Sequence, residues 1–252
     1  MAGHSRWANI KRHKAVKDAK KGQTFARYSR EIMKAAKLGG GDPAGNFRLR
    51  TAIDKAKAAG IPNDNIQRAI EKGAGAGGAD QLEDMTYEGY GPGGVAIFIE
   101  AMTDNRNRTA GDIRSYFNKY EGNLGADGCV AWIFEQRGQI TVLDKNTSEE
   151  SLLEKVAEAG AEDLHHNSDD NAFEIHTEPT ALNDVCQSLT TQGVSIDSAA
   201  ITRVPQNSVS VTDAQQAKIL LKLLDAIEAH DDVQAVYANF EMDDALLESL
   251  EA

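Results

Sequence analysis

A glycine-rich connector divides this chain into two parts of different composition. Residues 73–79 read Gly-Ala-Gly-Ala-Gly-Gly-Ala, with four glycines and no side chain large enough to anchor a hydrophobic core. Such a segment is typical of a flexible connector between domains. The chain of 252 residues is long enough for two or three domains, and we expect the first of them to end here.

Charge is distributed unevenly across this boundary. Residues 1–75 contain 17 Lys and Arg against 6 Asp and Glu, a net charge of +11. The remaining residues contain 10 Lys and Arg against 33 Asp and Glu, a net charge of −23, so the overall value of −12 conceals a basic head and an acidic body. Because charges are screened beyond about 10 Å at 0.1 M salt, a polyanionic partner responds to the local charge rather than to the sum.

The basic head has the pattern of a small three-helix unit. Thr24 can cap the first helix, and Gly39-Gly40-Gly41 stops it. Asp42-Pro43 supplies an N-cap and a proline at the first position of the second helix, which ends at Gly60. The predicted helices span residues 24–38, 43–60 and 63–72.

Beyond the connector, β-rich runs alternate with segments of helical periodicity. Thr109 with Asp112 forms a capping-box pattern that predicts the start of a helix. Residues 138–205 follow the order β-α-β-β-α-β, which is the order of elements in ferredoxin-like domains. The predicted strands include 95–102, 129–134, 139–143, 173–177, 194–204 and 233–242, and further helices begin near residues 147, 180 and 212.

The fold class predicted from this order is α+β. The segments 80–137 and 206–242 are each too small to form a domain alone, so we expect them to fold together. The prediction is a helical domain over 1–75, a discontinuous α+β domain over 76–137 and 206–252, and a ferredoxin-like domain over 138–205 that is inserted into the second.

The first predicted helix combines a packed side with a basic side. At 100° per residue, Tyr28 and Ile32 fall on one face, while Arg27 and Arg30 lie almost opposite. A denser run of cations precedes the helix. Because Lys and Arg release counterions when they neutralise phosphates, this pattern predicts a surface that follows a chain of phosphates. The candidate nucleic-acid-binding residues are Trp7, Lys11, Arg12, Lys14, Lys17, Lys20, Lys21, Arg27, Arg30, Lys34, Lys37, Arg106 and Arg108.

Two other interpretations of the basic head stay open at this point. Lys and Arg can simply solvate the exposed faces of helices. A basic amphipathic helix can also lie on an anionic membrane, although the apolar face here is rich in Ala rather than in Trp or Leu. The net charge of +11 in a chain of opposite overall sign favours a polyanionic partner.

Asn105-Arg106-Asn107-Arg108, together with Arg114, is the main concentration of positive charge in the acidic body. The segment lies between a predicted strand and a predicted helix, where backbone N–H groups favour anions. A second phosphate contact and ordinary helix capping with solvated arginines fit this segment equally well.

Sequence patterns typical of catalysis or metal binding are weak here. Residues 89–94 match G-x-G-x-x-G, but a β-rich run follows instead of a helix, so a hairpin turn is the favoured interpretation. His165-His166 has no third ligand at a supporting spacing, and Cys129 and Cys186 stand singly. We expect no metal, no cofactor and no enzyme activity.

Secretion and membrane insertion are disfavoured by the same sequence. Residues 1–14 contain no apolar stretch of the signal-peptide type, and apolar runs such as Val95–Ile99 are far shorter than the about 20 residues that a membrane span needs. We expect a cytoplasmic protein with no membrane partner.

Seven short motifs are spread over most of the chain. They are Met1-Ala-Gly-His-Ser-Arg-Trp-Ala-Asn-Ile-Lys-Arg-His-Lys14, Asp18-Ala-Lys-Lys-Gly22, Phe25-Ala-Arg-Tyr-Ser-Arg-Glu-Ile32, Gly60-Ile-Pro-Asn63, Tyr87-Glu-Gly-Tyr-Gly-Pro-Gly-Gly94, Asp104-Asn-Arg-Asn-Arg-Thr109 and Leu124-Gly125. Together they resemble the YebC family of bacterial regulatory proteins. One departure is Gly128-Cys129-Val130-Ala131, where we expect a more Ser-rich stretch before Trp132.

The resemblance implies a helical N-terminal domain and two α+β domains around a cleft, in agreement with the boundaries above. It also implies a cytoplasmic transcriptional regulator that binds DNA. Relatives such as a mitochondrial translational activator of cytochrome c oxidase imply instead a ribosome-associated factor that binds ribosomal RNA and relieves stalling, for example at consecutive prolines. DNA is thus the first expected partner and ribosomal RNA the alternative, and an enzyme site in the cleft is a third possibility. A monomer is favoured, although the sequence leaves the oligomeric state open.

Overall fold

The computed structural model describes residues 20–75, 83–143, 148–167, 171–243, 246 and 250, and for residues 20–27 and Phe47 it describes the backbone alone. The predictions that concern residues 1–19, including the densest run of cations, lie outside this description. The described residues form two compact units, one over 132–208 and the other over 20–131 and 209–250.

Seven α-helices and ten strands make up the described residues. In chain order they are α1 Lys20–Gly39, α2 Phe47–Ala58, α3 Asn63–Gly73, β1 Glu83–Tyr90, β2 Ala96–Thr103, α4 Arg106–Lys119, β3 Asn123–Leu124, β4 Phe134–Leu143, α5 Glu149–Glu158, β5 Asp163–Asn167, β6 Ala172–Thr177, α6 Leu182–Thr191, β7 Ser198–Pro205, β8 Val209–Ser210, α7 Ala214–Glu228, β9 Val233–Ala238 and β10 Phe240–Glu241.

Helices α1, α2 and α3 form a bundle whose core is built from small and β-branched side chains. Helix α1 packs against both of the others. Gly73 allows α3 to approach α1 closely, because a Cβ at this position would lie 2.5 Å from the Met33 carbonyl oxygen. The buried residues of the bundle are Ile32, Ala35, Ala36, Leu49, Ala52, Ile53, Ala56, Ile61, Ile66, Ala69 and Ile70.

Asn46 joins α1 to α2. Its Nδ2 donates to the carbonyl oxygens of Ala35 and Gly40, both at 2.8 Å, and its Oδ1 accepts from the Leu49 N–H at 3.0 Å. The side chain therefore caps the end of one helix and the start of the next. The prediction that Asp42-Pro43 opens the second helix is wrong, because Asn46 takes this role.

A four-stranded antiparallel sheet in the order β3-β1-β2-β9 follows the bundle. Strands β1 and β2 form a hairpin in register from Glu83 with Thr103 to Tyr90 with Ala96. The predicted hairpin turn at residues 89–94 is thus confirmed. Strand β2 is almost completely buried, as its apolar sequence suggests, whereas the more polar β1 was not predicted.

Helix α4 begins four residues earlier than the capping-box pattern suggests. Asn105 is its N-cap and accepts from the Arg108 N–H at 3.1 Å, while Thr109 lies inside the helix and is fully buried. The predicted strand over residues 129–134 is also wrong, because residues Ala131–Ile133 form a single 3₁₀ turn before β4.

The unit over residues 132–208 follows the predicted order β4-α5-β5-β6-α6-β7. Its strands form an antiparallel sheet in the order β5-β6-β4-β7, so the first and third strands of the unit are central. Helices α5 and α6 supply Leu152, Val156, Val185 and Leu189 to its core.

The α+β fold class, with a ferredoxin-like unit inserted between parts of another domain, is confirmed. The chain leaves the first sheet after β3, forms the ferredoxin-like unit, and returns to the first sheet as β9. Helices α4 and α7 contact this first sheet and each other. The exact domain boundaries proposed from the sequence stay a prediction.

Candidate nucleic-acid interface

Helix α1 carries three of the basic side chains that the sequence singles out and that the structure describes, and Arg106 and Arg108 lie on α4. Ile32 and Ala36 face the core of the bundle, so residues two positions away, such as Arg30 and Lys34, point elsewhere. Arg30 and Lys34 are one helical turn apart and meet acidic residues of the sheet domain.

Arg30 reaches a buried carboxylate that lies 202 positions further along the chain. Its Nη2 donates to Oδ1 of Asp232 at 3.0 Å, and the Asp232 side chain is only 3% exposed. Because a buried charge is costly without a partner, this contact fastens α1 to the sheet domain. The Arg30 side chain, itself 18% exposed, therefore has a structural role.

Asp232 also accepts from donors at the end of β2 and at the start of α4. Its Oδ2 accepts from Arg108 Nη2 at 2.9 Å, from the Thr109 hydroxyl at 2.7 Å and from the Thr103 hydroxyl at 3.1 Å. Burial alone would raise the pKa of the Asp232 carboxyl, but hydrogen bonds from Arg108 and Thr109 and the charge of Arg30 outweigh it and hold that pKa below its ordinary value. The carboxylate is thus kept ionised and fully bonded.

His230 orients the backbone that carries Asp232. The Asp232 N–H donates to Nδ1 of His230 at 3.1 Å, and Nε2 of the same ring lies 3.2 Å from Oδ2 of Asp112 on α4. A ring whose Nδ1 accepts from an N–H carries its proton on Nε2, which then donates to the Asp112 carboxylate. This arrangement ties the turn before β9 to helix α4.

Two further ion pairs lie at the surface of the same domain. Lys34 Nζ is 2.8 Å from Oδ1 of Asp84, and Arg106 Nε is 3.5 Å from Oε2 of Glu83. The Arg106 and Glu83 side chains are both more than half exposed, so solvent screens their interaction and an exposed pair of this kind contributes about 0–1 kcal/mol. Glu83 therefore holds Arg106 only weakly.

The predicted contact residues thus fall into three groups. Arg30, Lys34, Arg106 and Arg108 are paired with acids of the molecule itself, and Lys37 is exposed at the end of α1. The others lie outside the described residues or on the part of α1 whose side chains are not described. These others are Trp7, Lys11, Arg12, Lys14, Lys17, Lys20, Lys21 and Arg27. For all three groups, contact with nucleic acid stays a prediction.

Two models of protein families match consecutive parts of the chain. The first is described as the TACO1/YebC protein N-terminal domain and matches residues 5–76. The second is described as the TACO1/YebC second and third domain and matches residues 82–240. The chain belongs to the TACO1/YebC family.

Relatives of this family member are similar over almost their whole length. Proteins named "Probable transcriptional regulatory protein" from Trichormus variabilis and Desulfitobacterium hafniense are 57% and 52% identical to it, and each comparison covers 98% of both chains. A crystal structure of a conserved hypothetical protein from Aquifex aeolicus is 48% identical, covers 90% of this chain and 93% of that chain, and has a TM-score of 0.81. The resemblance inferred from the seven motifs is thereby confirmed.

The TACO1/YebC bundle also exposes cations that sequence reasoning did not include. Arg48, Arg50 and Lys57 on α2, and Arg68 and Lys72 on α3, are all exposed. The signal was present, because each of these residues lies off the apolar face of its own helix. These residues were missed because the run of cations before α1 is denser, so the contact surface was assigned to that segment.

The glycine run of the TACO1/YebC sheet domain has a packing role. A Cβ at Gly91 would lie 3.0 Å from Ile97 Cδ1 and from Leu220 Cδ1, so glycine lets the hairpin turn pack closely against helix α7. Gly93 and Gly94 have φ values of 74° and 76°, which side chains rarely adopt. The G-x-G-x-x-G match is therefore explained by turn geometry and not by a dinucleotide site.

Glu88 organises the loop that contains the unusual Cys129. Its carboxylate, on a residue that is 4% exposed, accepts from the backbone N–H groups of Gly128, Val130 and Ala131, each at 2.7 Å. Burial and the nearby Glu88 charge raise the pKa of the Cys129 thiol. A raised thiol pKa makes the sulfur a weaker nucleophile at neutral pH.

The remaining candidates of the sequence are located in the ferredoxin-like unit. His165 lies 2.8 Å from Asp163 and near His176, while the His166 ring contacts Phe173. Within the described ranges, no three His, Cys, Asp or Glu side chains cluster closely enough to hold a metal ion. No helix of these ranges is both long and apolar enough to cross a membrane.

Proposed function

We propose that this TACO1/YebC family member is a cytoplasmic, non-enzymatic regulator of gene expression that binds DNA through its basic N-terminal region. The observation that carries the proposal is the separation of charge, with +11 in residues 1–75 and −23 in the rest. The names of the relatives, which are probable transcriptional regulatory proteins, support a regulatory role.

The physical basis of the proposal is the release of counterions. Each phosphate that a Lys or Arg neutralises frees condensed cations from DNA, and nonspecific complexes of this kind have dissociation constants of about 10⁻⁴–10⁻⁶ M at physiological salt. Such contacts position a protein without reading bases. We therefore propose a sequence-tolerant interaction in which Lys11, Arg12, Lys14, Lys17, Lys20, Lys21 and Arg27 supply most of the contacts.

Four of the predicted contact residues have a smaller part in the proposal than the sequence suggested. Arg30 and Arg108 hold the buried Asp232 carboxylate, so their loss would also weaken the fold. Lys34 and Arg106 have weaker, more exposed acidic partners, and a phosphate can compete for them. Ribosomal RNA is the competing target, and stacking would then recruit Trp7 and Arg106 as well.

A comparison of two double variants tests the proposal. Lys11→Gln with Lys14→Gln removes two charges from the basic head, and Lys218→Gln with Lys222→Gln removes two exposed charges from helix α7 of the acidic body. Binding of each full-length protein to labelled duplex DNA is measured by fluorescence anisotropy over a salt series. We expect the first variant to bind more weakly. Its slope of log binding constant against log salt concentration, called the log–log salt slope below, should fall in magnitude by up to about 1.8, while the second variant keeps the wild-type slope.

The target is tested with the same proteins. Wild type and both variants are sedimented with ribosomes at the salt concentration used for the duplex. Retention on DNA without ribosome association supports the proposal. Association with ribosomes and no retention on duplex DNA would contradict it in favour of ribosomal RNA, and equal effects of the two variants would remove the N-terminal region from the contact.

A further inference from the structure

Helices α2 and α3 differ from α1 in the environment of their cations. Arg48, Arg50, Lys55 and Lys57 lie on α2, and Arg68 and Lys72 lie on α3. Within the part of the chain that the structure describes, none of these six forms an ion pair, whereas Arg30 and Lys34 of α1 both do. Their positive charges are therefore available to a partner.

The cations of α2 form two rows beside its buried face. At 100° per residue, positions seven apart differ by about 20° around the axis and by about 10 Å along it. Arg50 and Lys57 form one such row, and Arg48 and Lys55 form the other. Successive phosphates of one DNA strand advance about 3.4 Å along the duplex axis, so a spacing of about 10 Å spans roughly three of them.

Helix α3 adds a shorter row. Arg68 and Lys72 are one turn apart, about 6 Å along the axis, and both are exposed on the side away from the buried Ile66, Ala69 and Ile70. One acid of α3, Glu71, accepts a hydrogen bond from Gln67 Nε2 at 3.1 Å. The acids of the two helices number three, Asp54, Asp64 and Glu71, so residues 47–73 have a net charge of +3.

Arg50 is held in place by the turn that precedes α2. Its Nε donates to the Pro43 carbonyl oxygen and its Nη2 to the Ala44 carbonyl oxygen, both at 3.2 Å. A guanidinium has five N–H donors, so several remain for a phosphate. Because its neighbours here are neutral carbonyls, the guanidinium keeps its full charge in a fixed orientation, which reduces the entropy lost on binding.

We propose that helices α2 and α3 present the phosphate-contacting surface of the folded bundle, and that Arg30 and Lys34 of α1 instead fasten the bundle to the sheet domain. The inference rests on the proposed function, since it assumes a nucleic-acid partner. The partner that fits is a sugar-phosphate backbone, contacted without regard to sequence by Arg48, Arg50, Lys57, Arg68 and Lys72.

Three matched pairs of substitutions test this assignment in the full-length protein. Arg68→Gln with Lys72→Gln and Arg50→Gln with Lys57→Gln each remove two charges from the proposed surface. Lys218→Gln with Lys222→Gln is the control, because it removes two exposed lysines from α7 at the same i, i+4 spacing as Arg68 and Lys72. Each proposed pair should lower the log–log salt slope on duplex DNA by up to about 1.8, and the control should leave the slope unchanged.

A single substitution in α1 completes the test. Lys34→Gln should leave the slope within about 0.3 of wild type if Lys34 contacts Asp84 rather than phosphate, against a loss of about 0.9 for a true phosphate contact. Wild-type slopes for both proposed pairs would overturn the assignment, and so would a loss of about 0.9 with Lys34→Gln. Thermal unfolding of every variant identifies misfolding, and the α3 pair remains decisive if the α2 pair unfolds because the Arg50 bonds are lost.

Failure of the proposed function gives a different result. If the wild-type chain binds neither duplex DNA nor RNA even at low salt, the function itself is wrong. If the wild type binds and Lys11→Gln with Lys14→Gln weakens it, while the α2 and α3 pairs do not, then the function stands and only the assignment of the surface falls.

Discussion

At the scale of single residues, Asp232 is the buried side chain that accepts hydrogen bonds from Arg30, Thr103, Arg108 and Thr109. Removing one partner of a buried ion pair costs about 3–5 kcal/mol, because the other charge stays buried without compensation. Asp232→Asn keeps the shape of the side chain and one acceptor, so we expect a loss of about 3 kcal/mol in the free energy of unfolding in urea.

Asp104 provides the control for this prediction. It also contacts Arg108, at 3.0 Å, but its side chain is 57% exposed. Asp104→Asn should therefore cost less than about 1 kcal/mol. Similar losses for the two variants would mean that burial does not determine the strength of the Arg108 contacts.

The lowered pKa of Asp232 predicts how this contribution depends on pH. A group whose pKa is lower in the folded state stabilises the fold at pH values above its unfolded pKa, which is about 3.9 for Asp. The contribution is lost as the pH falls through the folded pKa. The difference in unfolding free energy between wild type and Asp232→Asn should thus be constant from about pH 7 to pH 5 and shrink below about pH 4. Urea titrations at several pH values measure it, and a difference that persists unchanged at about pH 2.5 would refute the explanation.

The sequence could not identify this network, and the reason is distance along the chain. Arg30 and Asp232 are 202 positions apart, and neither has a local pattern that indicates the other. Thr109 was interpreted as a helix cap because its spacing to Asp112 fits a capping box, but its hydroxyl instead donates to Asp232. Local rules assign a residue to an element and cannot show which distant charge it meets.

At the scale of elements, the junction of α1 and α2 depends on Asn46. Asn46→Ala removes an N-cap acceptor and leaves the carbonyl groups of Ala35 and Gly40 without this donor. Losing an N-cap costs about 1 kcal/mol, and leaving the buried Ala35 carbonyl without its donor adds about 1–3 kcal/mol, so we expect a total loss of about 2–4 kcal/mol in urea unfolding. Asp42→Ala, which removes the cap that the sequence suggested, should cost less than about 1 kcal/mol. A larger loss for Asp42→Ala than for Asn46→Ala would mean that Asp42 is the cap.

Helices and apolar strands were predictable because each carries its own periodic signal. The three helices of the bundle, strand β2 and the β-α-β-β-α-β order of the inserted unit were all visible in the sequence. Strand β1 was not, because its acidic residues and its glycine disfavour a strand and its conformation depends on pairing with β2 over eight residues. Strand pairing depends on two segments, so the sequence of one segment alone does not reveal it.

At the scale of the whole molecule, the separation of charge was readable from the sequence, but its consequence for α1 was not. Helical periodicity correctly places Arg30 and Lys34 off the apolar face of α1, and solvent or a partner was the expected environment. Instead, both meet acids of the sheet domain. A helical wheel shows which side chains share a face and gives no information on what that face packs against.

The acidic body should act on nucleic-acid binding through its field rather than through contacts. Glu154→Gln, Glu158→Gln and Asp225→Asn together remove three exposed negative charges from α5 and α7, which raises the net charge from −12 to −9. The Debye length is about 30 Å at 0.01 M ionic strength and about 8 Å at 0.15 M, so repulsion between the body and a duplex acts at a distance only at low salt. We therefore expect the triple variant to associate with duplex DNA a few-fold faster than wild type at the lower ionic strength and at the wild-type rate at the higher one.

Stopped-flow measurement of the association and dissociation rate constants distinguishes a long-range electrostatic effect of the acidic body from a direct contact with DNA. A field changes association and leaves dissociation almost unchanged, because it acts mainly before the two molecules touch. If the triple variant instead dissociates more slowly, or keeps its advantage at about 0.15 M salt, the replaced acids lie at the interface itself and the acidic body is part of the binding surface.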